Sequence, residues 1–175
     1  RNKLLAFNTD WAARTDPERL LLLFKDYLAV SGASLAGLGD DVLGRVLACT
    51  RGFRTFPDVV KKASYAFVPD DEIVFDEKAV RKVLDKGEGE GYRTLAALLP
   101  LLEAVDPWDA ATLEGVVKGF AERGGLKFGA VAQPVRVALT GSTVSPGIGD
   151  TLALAGSATA CRRIKQVIER HQNAE

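Results

Sequence analysis

Pro134-Val-Arg-Val-Ala-Leu-Thr-Gly-Ser-Thr-Val-Ser-Pro-Gly-Ile-Gly-Asp150 is the stretch on which the reading of this chain turns. The run from Pro134 to Thr140 predicts a short helix that Gly141 stops. A polar turn follows. Ser145-Pro146 then has the form of a cap and a first-turn proline opening a second helix. One charged side chain, Arg136, stands before the turn. An arginine beside a compact loop of hydroxyls and backbone donors suits an anion or the edge of a nucleic-acid base.

Outward from that stretch, helix signals continue in both directions. Ser157 is expected to cap a last helix running towards His171. Asp106-Pro107-Trp108-Asp109 joins a capping acid to a proline and predicts a helix ending at Gly124-Gly125. Tyr92 to Val105 reads as a helix containing Pro100. Asp76 to Lys86 reads as a short one with Val80, Val83 and Leu84 inward. Nearer the start, Asp16-Pro17-Glu18 opens a helix carrying Leu20, Leu21, Phe24 and Leu28 at helical spacing, closed by Ser31-Gly32. Asp40 is placed as the cap of the next, with Val42, Leu43, Val46 and Leu47 on its inner face. Another begins near Thr55-Phe56-Pro57-Asp58 and runs towards Phe67. Glu72-Ile-Val-Phe75 alone suggests a strand, and it is too short to build a sheet. The fold class expected is all-α, a bundle or cage of about nine helices. The glycine-rich acidic run Lys86–Gly91 is the expected internal linker. It divides an N-terminal helical subdomain, residues 1–87, from a C-terminal one, residues 92–175.

The chain has 175 residues, no methionine, and as many Lys and Arg as Asp and Glu. An Arg1 start without methionine is read as a piece of a longer protein. Charge is uneven. Residues 1–65 carry a net +3, residues 66–122 a net −7 and residues 123–175 a net +4. A uniform basic coat is excluded, while a local basic surface at the ends is compatible with nucleic acid. No apolar run is long enough to span a bilayer and no signal-peptide pattern opens the chain, so a cytoplasmic protein is expected. Cys49 and Cys161 are read as buried thiols rather than a disulfide or metal site. His171 is the single histidine, so no His-based triad or His-rich metal site can be assembled. It is read as a solvated histidine near a helix end. Asp40/Asp41 and Asp70/Asp71 sit where capping and turn roles are expected. Trp11, Trp108 and Phe120 are expected in the core rather than as stacking platforms.

Three groups of segments resemble one family. Lys3-Leu-Leu-Ala-Phe-Asn-Thr-Asp10 is similar to the block that follows the class I catalytic domain of glutamyl-tRNA synthetases. Thr50-Arg-Gly-Phe-Arg-Thr-Phe-Pro-Asp-Val-Val60 looks like the basic helix–turn before that family's first anticodon-binding helices. Gly125-Leu-Lys-Phe-Gly129, Pro134 to Gly141, Ser145-Pro146-Gly147, Leu154-Ala-Gly156 and Arg163-Ile164 follow the family's C-terminal order and spacing. The resemblance implies an anticodon-binding region that recognises tRNA(Glu). The ATP- and Mg-dependent chemistry of the parent enzyme resides in a catalytic domain whose signature motifs are not in this sequence. The chain itself is therefore expected to be no enzyme and to hold no cofactor or metal.

By the same resemblance, Arg136 corresponds to the arginine that approaches the anticodon bases. Ser145, Pro146 and Ile148 correspond to the loop lining that pocket. Thr140 and Gly141 belong to the same signature as its helix stop. Arg51 and Arg54 lie where the family presents a basic side chain to the third anticodon base. Gly52 stands where that arginine is expected, so either Arg51 substitutes for it or the contact is lost. Lys127, Arg162, Arg163 and Lys165 are the expected phosphate contacts. The expected partner is tRNA(Glu), with no DNA or membrane, and the expected state is a monomer. Two rivals stand beside this reading: a helical protein-interaction module, and the same domain from a paralogue charging tRNA(Gln). Steep salt dependence of tRNA retention separates the first rival from an RNA binder.

Overall fold

Side-chain caps set two of the helix starts in the first part of the chain. The computed structural model describes residues 2–173, with the side chains of residues 2–6 outside the description. Helix α1 spans Asn2–Arg14. Helix α2 spans Pro17–Ser31; the Asp16 carboxylate accepts from the Glu18 and Arg19 amides, and Gly32 closes the far end by donating to the Leu28 carbonyl. Helix α3 is Asp40–Cys49, with Gly39 rather than Asp40 in the capping position. The expected cap fails because Asp40 is the first helical residue, where its carboxylate instead accepts from Lys25 Nζ at 2.7 Å. Helix α4 is Phe56–Ala63, opened by a reciprocal capping box between Thr55 and Asp58 and continued as a 3-10 turn, Ser64–Phe67.

These elements form the first of two compact units, Arg1–Phe67. Phe24, Leu28, Leu43, Val46 and Val59 make its core, all at 2 % exposure or less. Each such side chain stabilises the unit by about 1.5–3 kcal/mol on leaving water. Phe24, Tyr27, Phe53 and Phe56 gather beside it, the Phe24 and Phe56 rings 5.2 Å apart. Trp11, expected in a core, is 42 % exposed on α1.

The second unit is Val68–Glu175. A 3-10 turn, Asp70–Glu72, leads to α5, Glu77–Ala79, which Asp76 caps and which widens into a π-helical turn, Val80–Leu84. Helix α6, Lys86–Glu103, carries Leu95, Leu98 and Leu102 to the centre of the core. Helix α7 is Ala110–Arg123, capped by Asp109 rather than Asp106, and Asp106–Pro107 is a cis peptide. Helix α8 is Phe128–Thr140, α9 is Ile148–Ala155 and α10 is Ser157–Gln172. Helix α10 packs along α6, and α7 along α9. No strand occurs among the described residues, and the fold is all-α, as expected. No described helix is long and apolar enough to cross a membrane.

The units part at Phe67/Val68, not at the glycine-rich run. That run is a tight turn inside the second unit. Gly87, Glu88 and Gly89 all take left-handed backbone angles, and the Arg93 guanidinium clamps the turn by donating to the Gly87 and Glu88 carbonyls. The glycines supply the positive φ that the turn needs. Beside it, the Tyr92 hydroxyl donates to Asp85 at 2.9 Å and the Tyr92 ring stacks on His171 with centroids 3.8 Å apart. Burial, then the Asp85 bond, pushes the Tyr92 hydroxyl up to about 12. His171 is thus half-buried against a ring, not a solvated surface group.

Candidate nucleic-acid interface

Helix α8 begins six residues before the proline expected to start it. Pro134 sits inside the helix, buried, and Arg136 follows half a turn later. Gly141 ends α8 in the left-handed region, φ +70°, and donates to the Val137 carbonyl. A Cβ at Gly141 would run into the Val74 carbonyl, and the Asp76 amide donates to the Gly141 carbonyl at 2.8 Å. The extended segment before α5 therefore lies against the helix stop. Only glycine combines this backbone angle with this approach.

The turn after Gly141 is built from hydroxyls. Thr140 Oγ1 lies within hydrogen-bond reach of the Arg136 and Ser142 carbonyls, and the Ser142 amide donates to it. Ser142 Oγ accepts from the Val144 amide. Ser145 does not cap α9; Gly147 occupies that position, without a side-chain bond. Ser145 Oγ instead accepts from Arg136 Nε at 3.1 Å and pairs with Thr151 Oγ1 at 2.9 Å. Both of these hydroxyls also reach the Pro146 carbonyl. Thr151 is fully buried and was not singled out in the sequence. Its one signal there is a hydroxyl following Asp150 in the otherwise apolar run Ile148–Ala155. The Trp108 indole donates to the Leu152 carbonyl, tying the start of α7 to α9 one residue from Thr151.

Arg136, Ser145, Pro146 and Ile148 are thereby brought to one turn. Pro146 and Ile148 are buried, Ile148 at 2 % exposure, so both shape the loop from beneath. Arg136 is half-buried, and no carboxylate lies within ion-pair distance of it among the described residues. Burial alone pushes its guanidinium below the ordinary arginine value; arginine nonetheless stays charged at neutral pH. Nε is engaged with Ser145, which fixes the plane of the guanidinium while its terminal nitrogens stay available to a ligand.

The remaining expected contacts divide. Arg163 is 3 % exposed and donates to Asp70, to the Leu139 carbonyl and to the Val68 carbonyl. Arg162 shares the same carboxylate, Nε to Oδ2 at 2.6 Å. The Arg162 hydrogen bond is the largest cause holding the Asp70 carboxyl down at about 2; burial pushes the other way, and the Arg163 hydrogen bond with the two positive charges outweighs it. This triad fastens α10 to the start of the unit, and it takes Arg163 out of the surface where phosphate was expected. Lys127 and Lys165 are exposed, with no ion pair among the described residues.

In the first unit, Arg51 and Arg54 are both exposed. The loop that carries them is held by α1: Asn8 Nδ2 donates to the Arg54 carbonyl and Thr9 Oγ1 to the Phe53 carbonyl. Arg51 edges a largely apolar groove of about 490 Å³ between α1, α2 and α3. Gly52 has φ +77°, a conformation that disfavours an arginine there. No group of three or more His, Cys, Asp or Glu side chains able to hold a metal occurs among the described residues.

Residues 19–168 match the family model described as an anticodon binding domain. A glutamate–tRNA ligase of Rhodopseudomonas palustris is 37 % identical over 161 residues, which is 88 % of this chain and 33 % of the relative. One from Thermus thermophilus is 41 % identical over 116 residues, covering 66 % of this chain and 23 % of that one. The chain thus spans about a third or less of the curated relatives it matches. The fold is shared with a crystal structure of a glutamate tRNA ligase from Elizabethkingia meningosepticum. That structure has a TM-score of 0.74 and 23 % identity, covering 94 % of this chain and 31 % of the other.

Proposed function

The chain belongs to the anticodon-binding domain family, and from that membership we propose that its Arg136–Ser145 turn reads unpaired anticodon bases of tRNA(Glu). The observation that carries the proposal is Arg136 itself. It is a half-buried cation with no carboxylate partner among the described residues, held in plane by a serine whose own hydroxyl is fixed by Thr151. A planar donor fork of this kind suits a base edge or a phosphate, and unpaired bases are the part of tRNA whose edges are open. The assignment to tRNA(Glu) follows from relatives named as glutamate–tRNA ligases. In the whole protein, glutamate would be attached to that tRNA with ATP by residues outside this chain.

Lys127 and Lys165 would add sequence-independent phosphate contacts. Arg51 and Arg54 supply the basic side chains of the first unit, with Arg51 taking the place that Gly52 leaves empty. The test is a titration of the chain with tRNA(Glu) transcripts carrying single anticodon substitutions. Affinity should fall for at least one substitution by about 1–3 kcal/mol, the range of a good base contact. Equal affinity for every anticodon would remove the base-reading role.

A further inference from the structure

A second groove in the Val68–Glu175 unit is separate from the Arg136 turn. It lies between α6, α7 and α8 and has a volume of about 610 Å³. Lys82 and Lys86 stand on its rim, exposed and without an ion pair among the described residues. Phe120 is half-buried in its lining. Glu90 is the one carboxylate among the lining residues, and its side chain lies back against Gly87.

Two acceptors on α8 distinguish this groove from a plain crevice. Gln133 lines it, and its Oε1 is buried with no hydrogen-bond partner. Native structures leave few such atoms unpaired, and each one calls for an explanation. Pro134 has no N–H to give, so the carbonyl of Ala130 on the same wall loses its helical donor. Cations at the rim, an aromatic face and amide-type acceptors together are the chemistry that holds a nucleotide: phosphate, base face and base amino group. Gln133 also lies three residues before Arg136, on the same flank of α8.

We propose that this groove is a second RNA-contact site, taking a single-stranded nucleotide of the same tRNA that the Arg136 turn reads. A half-turn about χ3 of Gln133 interchanges its amide oxygen and nitrogen: the oxygen comes to the groove, where the base amino group donates to it, and the nitrogen turns inward. Lys82 and Lys86 meet the two phosphates that flank it. The proposal rests on the anticodon reading, but different variants test the two.

The experiment measures binding of the full chain to the anticodon stem-loop RNA of tRNA(Glu) as a function of salt. Lys82→Ala/Lys86→Ala should weaken binding about 10-fold at low salt and reduce the salt slope by about 1.4, the value for two phosphate contacts on a single strand. Gln133→Met keeps the volume and removes the amide. It should weaken binding several-fold while leaving the fold at least as stable, because an unpaired buried oxygen is lost. A structural role for Gln133 would give the opposite pair of results. Unchanged affinity and salt slope in both variants, with Arg136→Ala still weakening binding, would overturn the groove and leave the anticodon reading standing. Failure of the anticodon reading would show instead as indifference to Arg136→Ala and to anticodon substitution.

Discussion

Asp70→Asn tests how the α10 anchor is held together. The carboxylate sits between Arg162 and Arg163, at 2.6 and 2.7 Å from their Nε atoms, and Arg163 is 3 % exposed. Its titration at about 2 instead of 3.8 means that the charged form is favoured in the folded state. A shift of that size corresponds to about 2.4 kcal/mol at neutral pH. Solvent reaches the Arg162 side of the pair, so screening reduces the figure to about 1–2 kcal/mol. Asparagine retains one acceptor but leaves the Arg163 guanidinium buried without its counter-charge, and this adds to the loss. The expected destabilisation is therefore about 2 kcal/mol at pH 7. The sign follows from the direction of the shift. The stabilisation is fully present above the unfolded-state value of 3.8 and is lost as pH falls through about 2. About half of the linked part should survive at pH 3. Urea unfolding of the two proteins across this range measures it, with exposed Asp71→Asn as a control expected within about 0.5 kcal/mol of the parent. A variant as stable as the parent at neutral pH, or a difference that does not shrink on acidification, would refute the reasoning.

Gly141→Ala should destabilise the second unit by at least about 2 kcal/mol, because it places a Cβ in the left-handed region and against the Val74 carbonyl. Denaturant unfolding checks it, and a change within about 0.5 kcal/mol would show that the α5 approach yields freely. Thr55→Ala removes one half of the α4 capping box and should lower stability by about 1 kcal/mol. Chemical denaturation again decides, and a neutral result would mean that Asp58 holds the helix start alone.

Where a helix boundary is encoded by its own neighbours, the sequence reads correctly. Asp16-Pro17 and Thr55-Phe56-Pro57-Asp58 announce α2 and α4 because the capping oxygen and the amides it serves lie within three residues. Where the deciding partner is distant, the reading fails. Ser145 has the local form of a cap, but its hydroxyl is engaged by Arg136 and Thr151. Pro134 has the form of a helix start, yet α8 runs on from Phe128 through it. The run Gly87–Gly91 has the composition of a linker, and Arg93 clamps it into a turn. Site legibility follows the same rule. Arg136 could be singled out because it is the lone charge before the turn in its stretch. The burial of Arg163 could not, since it depends on Asp70, 93 residues away. Thr151 and Gln133 escaped because each is an uncharged polar residue in a largely apolar helix, with nothing local to mark its partner or its lack of one.

The central claim is that Arg136 reads a base, and a double-mutant cycle tests it most directly. Binding constants are measured for the parent and Arg136→Ala, each with native tRNA(Glu) and with single anticodon substitutions. Base reading predicts a coupling of about 1–3 kcal/mol between Arg136 and one anticodon position, and near-zero coupling at the others. Strictly additive losses at all three positions would contradict it and leave Arg136 as a phosphate contact or a support for the turn.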